Sequence, residues 1–215
     1  MSVGMLCEYL KGLKPGEDVL IEYTSHEPAY LILHRILKCL QESKRAFMII
    51  DELDQLHIFK AHLKLAGLSS EIIDNAKVIK FGGIIQTGRV LGRLDLSKEP
   101  PVRKEYYEKI LEKLNLEYSV RVVVGFDKVL EMHSNTPREL ENLLGYLIRP
   151  HLGDERRTTI YLVNTDIIAD RTLKEVREHA SRVLQAKFMR DRILLKVIKS
   201  VNIKDFGKEI QIDVS

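Results

Sequence analysis

The stretch from Asp18 to Asp51, DVLIEYTSHEPAYLILHRILKCLQESKRAFMIID, predicts one strand-helix-strand unit. Its hydrophobic pattern divides it into a buried strand, a polar turn, an amphipathic helix and a second buried strand, at Val19 to Glu22, Tyr23 to Glu27, Pro28 to Glu42 and Ala46 to Ile50. Phosphate-binding loops of α/β proteins usually lie in such a turn, because the first N–H groups of the helix are unpaired and the helix dipole is positive there.

This turn lacks the residues that hold a phosphate. The pattern G-x-x-x-x-G-K-[ST] needs glycines so that the backbone can wrap the anion, and a lysine to reach its charge. Thr24, Ser25 and His26 supply neither, Glu27 adds a negative charge, and Pro28 removes a donor N–H at the helix start. We therefore predict no catalytic residues and no cofactor, with ATP disfavoured.

Composition indicates a protein with one large core and charged faces. The chain has 215 residues, 45% of them hydrophobic, so we predict a single domain spanning residues 1–215. Lys and Arg number 34 against 31 acidic residues, and this balance disfavours nucleic acid, which usually needs a clustered basic surface. The composition, with 30% charged residues, resembles that of proteins from thermophiles. With no apolar run of about 18 residues and no signal peptide, we predict a cytoplasmic protein without a membrane contact.

Metal and disulfide sites are not predicted. Cys7 and Cys39 stand alone among apolar neighbours, so we interpret both as small buried hydrophobic residues. His26 and His34 are eight positions apart with a proline between them, which excludes the H-E-x-x-H zinc pattern.

Strands and helices alternate along the rest of the chain. The predicted strands are Ala76 to Phe81, Ser119 to Phe126, Arg157 to Asp166 and Glu209 to Val214. The predicted helices are Ser2 to Leu10, Asp51 to Ala66, Pro100 to Leu114, Thr136 to Ile148 and Leu173 to Ala180. Two hairpins are expected, an irregular one at Gly82 to Leu96 and an antiparallel one at Ser181 to Ser200. The fold class is α/β, with three α/β/α layers and a mostly parallel sheet closed by the C-terminal hairpin.

The order of these elements resembles the RecA-type ATPase core, and within it the KaiC/RadA branch. GMLCEYLKGLKPGEDVLIEY resembles the segment that leads into the P-loop strand, and RAFMIIDEL resembles the next strand with its acidic end. SVRVVVGFDKVLE resembles the strand of the magnesium-site aspartate, which places Asp127 near that position. TTIYLVNTD resembles the strand that ends in a γ-phosphate-sensing residue, near Asn164, and HASRVLQAKFMRDRILLKVIKSVN resembles the closing hairpin. The resemblance implies a degenerate member of this P-loop superfamily, from an archaeal family without the P-loop.

Ligands of open α/β sheets bind where the parallel strands end. We expect the ligand cleft to be lined by the polar residues at those ends, namely Thr24, Ser25, His26, Glu27, Asp51, Glu52, Asp127 and Asn164. For the acidic cluster at Asp51 the alternative is helix capping by Asp51 or Asp54.

A second glycine motif, GIIQTGRV at Gly83 to Val90, fits G-x-x-x-x-G. Arg89 replaces the lysine and Val90 cannot bind magnesium, so we interpret Gly82 and Gly83 as positions of positive φ or close backbone approach. Basic spots at Arg156-Arg157 and Lys187 to Arg192 are interpreted as solvated faces or ion pairs, in preference to a nucleic-acid contact.

Three functions follow from this pattern. The first is a non-catalytic RecA/KaiC-like module with a degenerate P-loop that either binds a protein or peptide or forms a homo-oligomer. The second is an atypical nucleotide-binding protein or weak ATPase that uses His26, Asp127 and Asn164. The third, a DNA-binding recombinase relative, conflicts with the near-neutral charge.

Overall fold

A computed structural model describes residues 3–114 and 117–213 of the chain. The strands of that part are β1 (Asp18–Tyr23), β2 (Phe47–Glu52), β3 (Lys77–Phe81), β4 (Arg89–Leu94), β5 (Ser119–Val124), β6 (Arg157–Asn164), β7 (Arg182–Met189), β8 (Arg192–Ser200) and β9 (Glu209–Asp213). They form one nine-stranded sheet in the order β4-β3-β2-β5-β6-β1-β7-β8-β9. Ser2 and Val214, which were predicted to begin a helix and to end a strand, lie outside the described residues.

Helices cover both faces of the sheet. They are α1 (Val3–Lys11), α2 (Ala29–Glu42), α3 (Gln55–Leu65), α4 (Glu71–Asp74), α5 (Pro100–Leu114), α6 (Phe126–Met132), α7 (Pro137–Leu147) and α8 (Asp170–His179), with 3₁₀ turns at Arg149–His151 and Ile203–Asp205. Helices α1 to α4 pack in one hydrophobic core and α5 to α8 in the other. Since strand side chains alternate between faces, Val19 and Ile21 enter the first core and Leu20 the second. The predicted three-layer α/β/α fold is confirmed.

The sheet is parallel from β4 to β7 and antiparallel at its C-terminal end. Strands β7, β8 and β9 pair antiparallel, as the predicted closing hairpin requires. All residues of β1, β5 and β6 are buried, which fits their near-continuous apolar sequences, because a central parallel strand is covered on both faces.

Helix ends follow the sequence signals with two exceptions, the start of α3 and the start of α8, which begins at Asp170 and not at the predicted Leu173. The Thr136 hydroxyl accepts a hydrogen bond from the Glu139 N–H at 3.2 Å, so Thr136 caps α7 as predicted. Gly67 has φ +72° directly after the end of α3. The predicted start of α3 at Asp51 is wrong, because β2 continues through Glu52 and the helix begins at Gln55.

The hairpin expected at Gly82 to Leu96 is also wrong. Strand β4 pairs parallel to β3, with Lys77 beside Arg89 and Phe81 beside Leu94. The short connection between the two strands must therefore run back along the whole of β3 before β4 begins. Gly82, Gly83 and Gly88 have φ between +66° and +71° along this connection. A Cβ on Gly83 would lie 2.3 Å from Asp54 Oδ1, which confirms the interpretation of positive φ and close approach.

Cys7 and Cys39 form a disulfide that joins α1 to α2, with their Cα atoms 5.0 Å apart. The interpretation of both cysteines as unpaired hydrophobic residues is therefore wrong. Each lies on the buried face of its helix, and these two faces pack against each other. A separation of 32 residues in sequence does not reveal that contact, because it depends on how the two helices dock.

No helix within residues 3–114 and 117–213 is long and apolar enough to cross a membrane.

Candidate functional site at the carboxyl ends of the strands

Four adjacent parallel strands, β2, β5, β6 and β1, end at the same edge of the sheet. Each end carries predicted cleft residues: Glu52 closes β2, Asp127 follows β5, Asn164 closes β6 and Thr24 follows β1. Paired registers bring these ends side by side, with Tyr23 next to Asn164. This edge is where a ligand of an open α/β sheet would bind.

The turn after β1 uses its hydrogen-bond donors within the chain. The Glu27 carboxylate accepts from the Thr24 backbone N–H at 2.6 Å and from the Thr24 hydroxyl. The Asp166 carboxylate accepts from the Ser25 backbone N–H at 2.8 Å. Two backbone N–H groups of the turn that leads into α2 are therefore bound to the chain's own carboxylates.

Asn164 connects the end of β6 to the same turn. Its side-chain amide donates to the Ser25 hydroxyl at 3.0 Å, and its Oδ1 accepts from the Asp166 N–H at 3.0 Å. Asp166 was not among the predicted site residues. An acidic residue two positions after the polar end of a buried strand is the sequence signal that could have identified it.

Asp127 and Glu52 are buried carboxyl groups near the turn. Burial raises the pKa of Asp127 to about 6, although the backbone N–H groups of Asn164 and of Asp127 itself favour the charged form. Burial also raises the pKa of Glu52 well above its ordinary value, and the negative charge of Asp127 adds to this. Asp127 Oδ1 and Glu52 Oε2 have no hydrogen-bond partner among the described residues.

Asp51 lies on the opposite face of β2 from Glu52 and belongs to a different cluster. Its carboxylate binds Lys80 Nζ at 2.6 Å, and both side chains are fully buried. Its Oδ1 also accepts from the Leu56 N–H at 2.9 Å, which is the capping role for α3. Asp54 binds the same lysine at 2.6 Å and accepts the N–H groups of Ile84 and Ile85.

An open apolar cleft of about 500 Å³ lies beside the turn. Helix α2, helix α3, the end of β6 and strand β7 form its walls, with Ser25, His26 and Glu27 at one side. Its largest exposed apolar side chains are Ile58, Ile167 and Phe188, which sequence reasoning did not identify. Their exposure depends on the gap between α3 and β7, which no local pattern encodes.

The described residues contain no group of three or more His, Cys, Asp or Glu side chains arranged to hold a metal ion. The site therefore consists of a turn bound by its own carboxylates, two buried carboxyl groups and an apolar cleft. Such a site can bind an apolar group in the cleft and can exchange protons at Asp127 near pH 6.

The chain belongs to the family described as "Pyrococcus protein of unknown function, DUF257", whose model matches residues 8–211. No curated protein matches it. A solved structure of PH0250 from Pyrococcus horikoshii OT3 is 27% identical, with a TM-score of 0.83 over 97% of both chains. Flagellar accessory protein FlaH from Methanocaldococcus jannaschii is 15% identical, with a TM-score of 0.60 over 100% of this chain and 93% of FlaH.

KaiC-like protein PH0186 from the hyperthermophilic archaeon Pyrococcus horikoshii OT3 is 13% identical, with a TM-score of 0.64 over 95% of this chain and 88% of PH0186. At these identities the similarity to FlaH and PH0186 concerns the fold alone. The resemblance to RecA/KaiC-type proteins is confirmed at that level, and the archaeal relatives agree with it.

Proposed function

We propose, from the premise that the chain belongs to this Pyrococcus family, that it is a non-catalytic RecA/KaiC-like domain with a degenerate P-loop. In this proposal it acts as a regulatory module that binds a segment of another protein in the apolar cleft beside the turn.

The main support for the proposal is that two carboxylates of the chain itself accept hydrogen bonds from the backbone N–H groups of the turn. A phosphate would have to displace the Glu27 and Asp166 carboxylates from the amides of Thr24 and Ser25. Both displaced carboxylates would then stand beside the incoming anion and repel it. The turn also contains no lysine that could offset this repulsion.

The cleft supports the second part of the proposal. Ile58 and Ile167 are each more than one third exposed, and Phe188 faces the same opening from β7. An open cleft with exposed apolar side chains suits an amphipathic helix or an extended peptide that inserts one or two large apolar side chains. FlaH, which has the same fold, is described as an accessory protein, and this also supports a role beside other proteins. A second copy of this chain is the alternative occupant.

The alternative function, an atypical nucleotide-binding protein, rests on the buried carboxyls Glu52 and Asp127 and on Asn164 at the strand ends. His26, which this hypothesis also used, lines the apolar cleft. Direct nucleotide titration separates this alternative from the main proposal.

Selection from a displayed peptide library tests the proposal. Peptides enriched on the wild type should bind Phe188→Asp and Ile167→Asp at least about tenfold more weakly, because a charge in the cleft opposes insertion of an apolar side chain. Ile84→Asp is the matched control, since Ile84 is 88% exposed and does not line the cleft.

Equal binding by wild type and Phe188→Asp would contradict the proposed cleft. Failure to enrich any peptide, together with strictly monomeric sedimentation, would contradict the binding function. Self-association that is lost in Phe188→Asp would identify a second copy as the partner.

A further inference from the structure

A second cavity, of about 50 Å³, lies on the other side of the sheet, between the central strands and helices α5, α6 and α7. Most of its wall is apolar, including Ile50, Val123 and Leu143. Two arginines, Arg121 and Arg157, line its polar end. Neither arginine belongs to the turn or to the apolar cleft described above.

The sheet register builds this polar end. Arg121 of β5 lies beside Thr159 of β6, and Thr159 lies beside Asp18 of β1. Arg157 precedes Thr159 by two residues, so it points to the same face of the sheet. A row of polar side chains therefore crosses three adjacent strands beneath the helices.

The two guanidinium groups have more donors than the protein satisfies. Arg121 and Arg157 are only 7% and 3% exposed. Arg121 donates one N–H to the Tyr107 hydroxyl at 3.0 Å, while Arg121 Nε, Arg157 Nε and Arg157 Nη2 have no hydrogen-bond partner in the described chain. Buried polar groups are normally paired, so these donors indicate an absent acceptor.

The charges lead to the same conclusion. Asp18 is the carboxylate beside Arg157, with Oδ1 3.8 Å from Nη2. Arg121 has no carboxylate in ion-pair contact within the described residues, and burial holds the pKa of His151 down at about 4, so this histidine adds no charge. Glu52 at the far end is a buried carboxyl that favours its neutral form. Asp18 acts electrostatically on both arginines, so two positive charges share this buried carboxylate in a low-dielectric environment.

We propose that this cavity binds a small monovalent carboxylate, whose two oxygens accept from Arg121 and Arg157 and whose short apolar end packs against Ile50 and Val123. The planar guanidinium fork matches a carboxylate, and the volume limits the ligand to about the size of acetate.

The ligand reaches the cavity past Arg121. This residue also lines an outer groove at the amino ends of the strands, together with Glu108, Glu112, Asp154 and Arg156. The groove is rich in carboxylates, which repel an anion. The carboxylate ligand should therefore enter faster when added salt screens these charges.

Thermal unfolding with acetate and its neutral isostere acetamide tests the site. The wild type should show a rise in melting temperature that increases with acetate concentration and is absent with acetamide or with chloride at equal ionic strength. In Arg121→Met the apparent acetate affinity should fall at least about tenfold, because one charge-assisted hydrogen bond and one of the two positive charges are lost. Arg156→Met is the matched control, since Arg156 is exposed and pairs with Asp154.

Arg121→Lys provides a second variant, which keeps the charge but loses the fork, and should weaken acetate binding while acetamide still has no effect. Equal shifts with acetate and chloride, or an unchanged acetate shift in Arg121→Met, would overturn the proposal and leave water as the occupant. Phe188→Asp should keep the acetate shift, so the site is tested independently of the peptide cleft.

Discussion

Asp127 is a carboxyl group whose ionisation is altered by folding. It is almost completely buried, and burial raises its pKa to about 6. Between the ordinary pKa of an aspartate, near 4, and this value, the folded protein binds one more proton at this site than the unfolded chain. Its contribution to stability is therefore full at low pH and is lost as the pH rises through about 6.

Asp127→Asn should remove this pH dependence. Between pH 4 and pH 7 the wild type should lose roughly 2 kcal/mol of unfolding free energy through this group, and the variant should not. Urea unfolding at several pH values measures the difference. The buried histidines His34 and His151 have lowered pKa values, so they make the protein more stable as the pH rises. Both histidines are present in wild type and variant, so their contribution cancels in the difference between the two proteins.

Asp191→Asn is the control for the loss of one negative charge, because Asp191 is exposed at the β7-β8 turn. If the difference in unfolding free energy between wild type and Asp127→Asn did not change with pH, the raised pKa of Asp127 would be contradicted.

At the residue scale, the sequence identified the carboxyls of the site but not their partners. Asp51 and Glu52 form one acidic cluster in the sequence, yet consecutive strand residues point to opposite faces. The pairing of Asp51 with Lys80 follows from the β2-β3 register, in which the two are opposite each other. That register is a tertiary property, so neither this ion pair nor the contact of Asp166 with Ser25 could be predicted locally.

At the scale of elements, the disulfide is the strongest single connection between α1 and α2. It closes a loop of 32 residues, and a cross-link of that length restricts the unfolded chain. Many proteins of hyperthermophilic archaea keep disulfides, and PH0186, which has the same fold, comes from such an organism.

The double variant Cys7→Ala, Cys39→Ala should lose about 3 to 4 kcal/mol of unfolding free energy, the loop-entropy estimate for this length. Thermal unfolding of the wild type with and without a reductant measures the same quantity. The reductant should leave the double variant unchanged. A wild type that is equally stable when fully reduced would show that packing of α1 on α2 suffices.

Local patterns predicted most elements but missed the short helices α4 and α6, and most of the other errors concern how elements meet. The apolar β-branched run of β5 and the Thr136 cap of α7 are visible in the sequence because each depends on neighbouring residues. The direction of β4 is not visible in the sequence, because a strand after a glycine-rich connection can pair parallel or antiparallel to its neighbour. Here the positive φ values of Gly82, Gly83 and Gly88 accompany a return that makes β4 parallel.

At the scale of the whole molecule, alternation of strands and helices predicted the three layers and the parallel sheet. The position of β1 between β6 and β7 was beyond the residue pattern, because strand order depends on long-range pairing. That order places the turn after β1 beside the end of β6, where Asp166 can bind Ser25. The hydrogen bonds behind the proposed function follow from this topology: the chain's own carboxylates accept the backbone N–H groups of Thr24 and Ser25.

Titration calorimetry with ATP and Mg²⁺ tests this claim most directly. The account predicts no measurable heat and no change in melting temperature at millimolar nucleotide, because Glu27 and Asp166 already hold the amides of Thr24 and Ser25. Binding of ATP at this turn with micromolar affinity would contradict it.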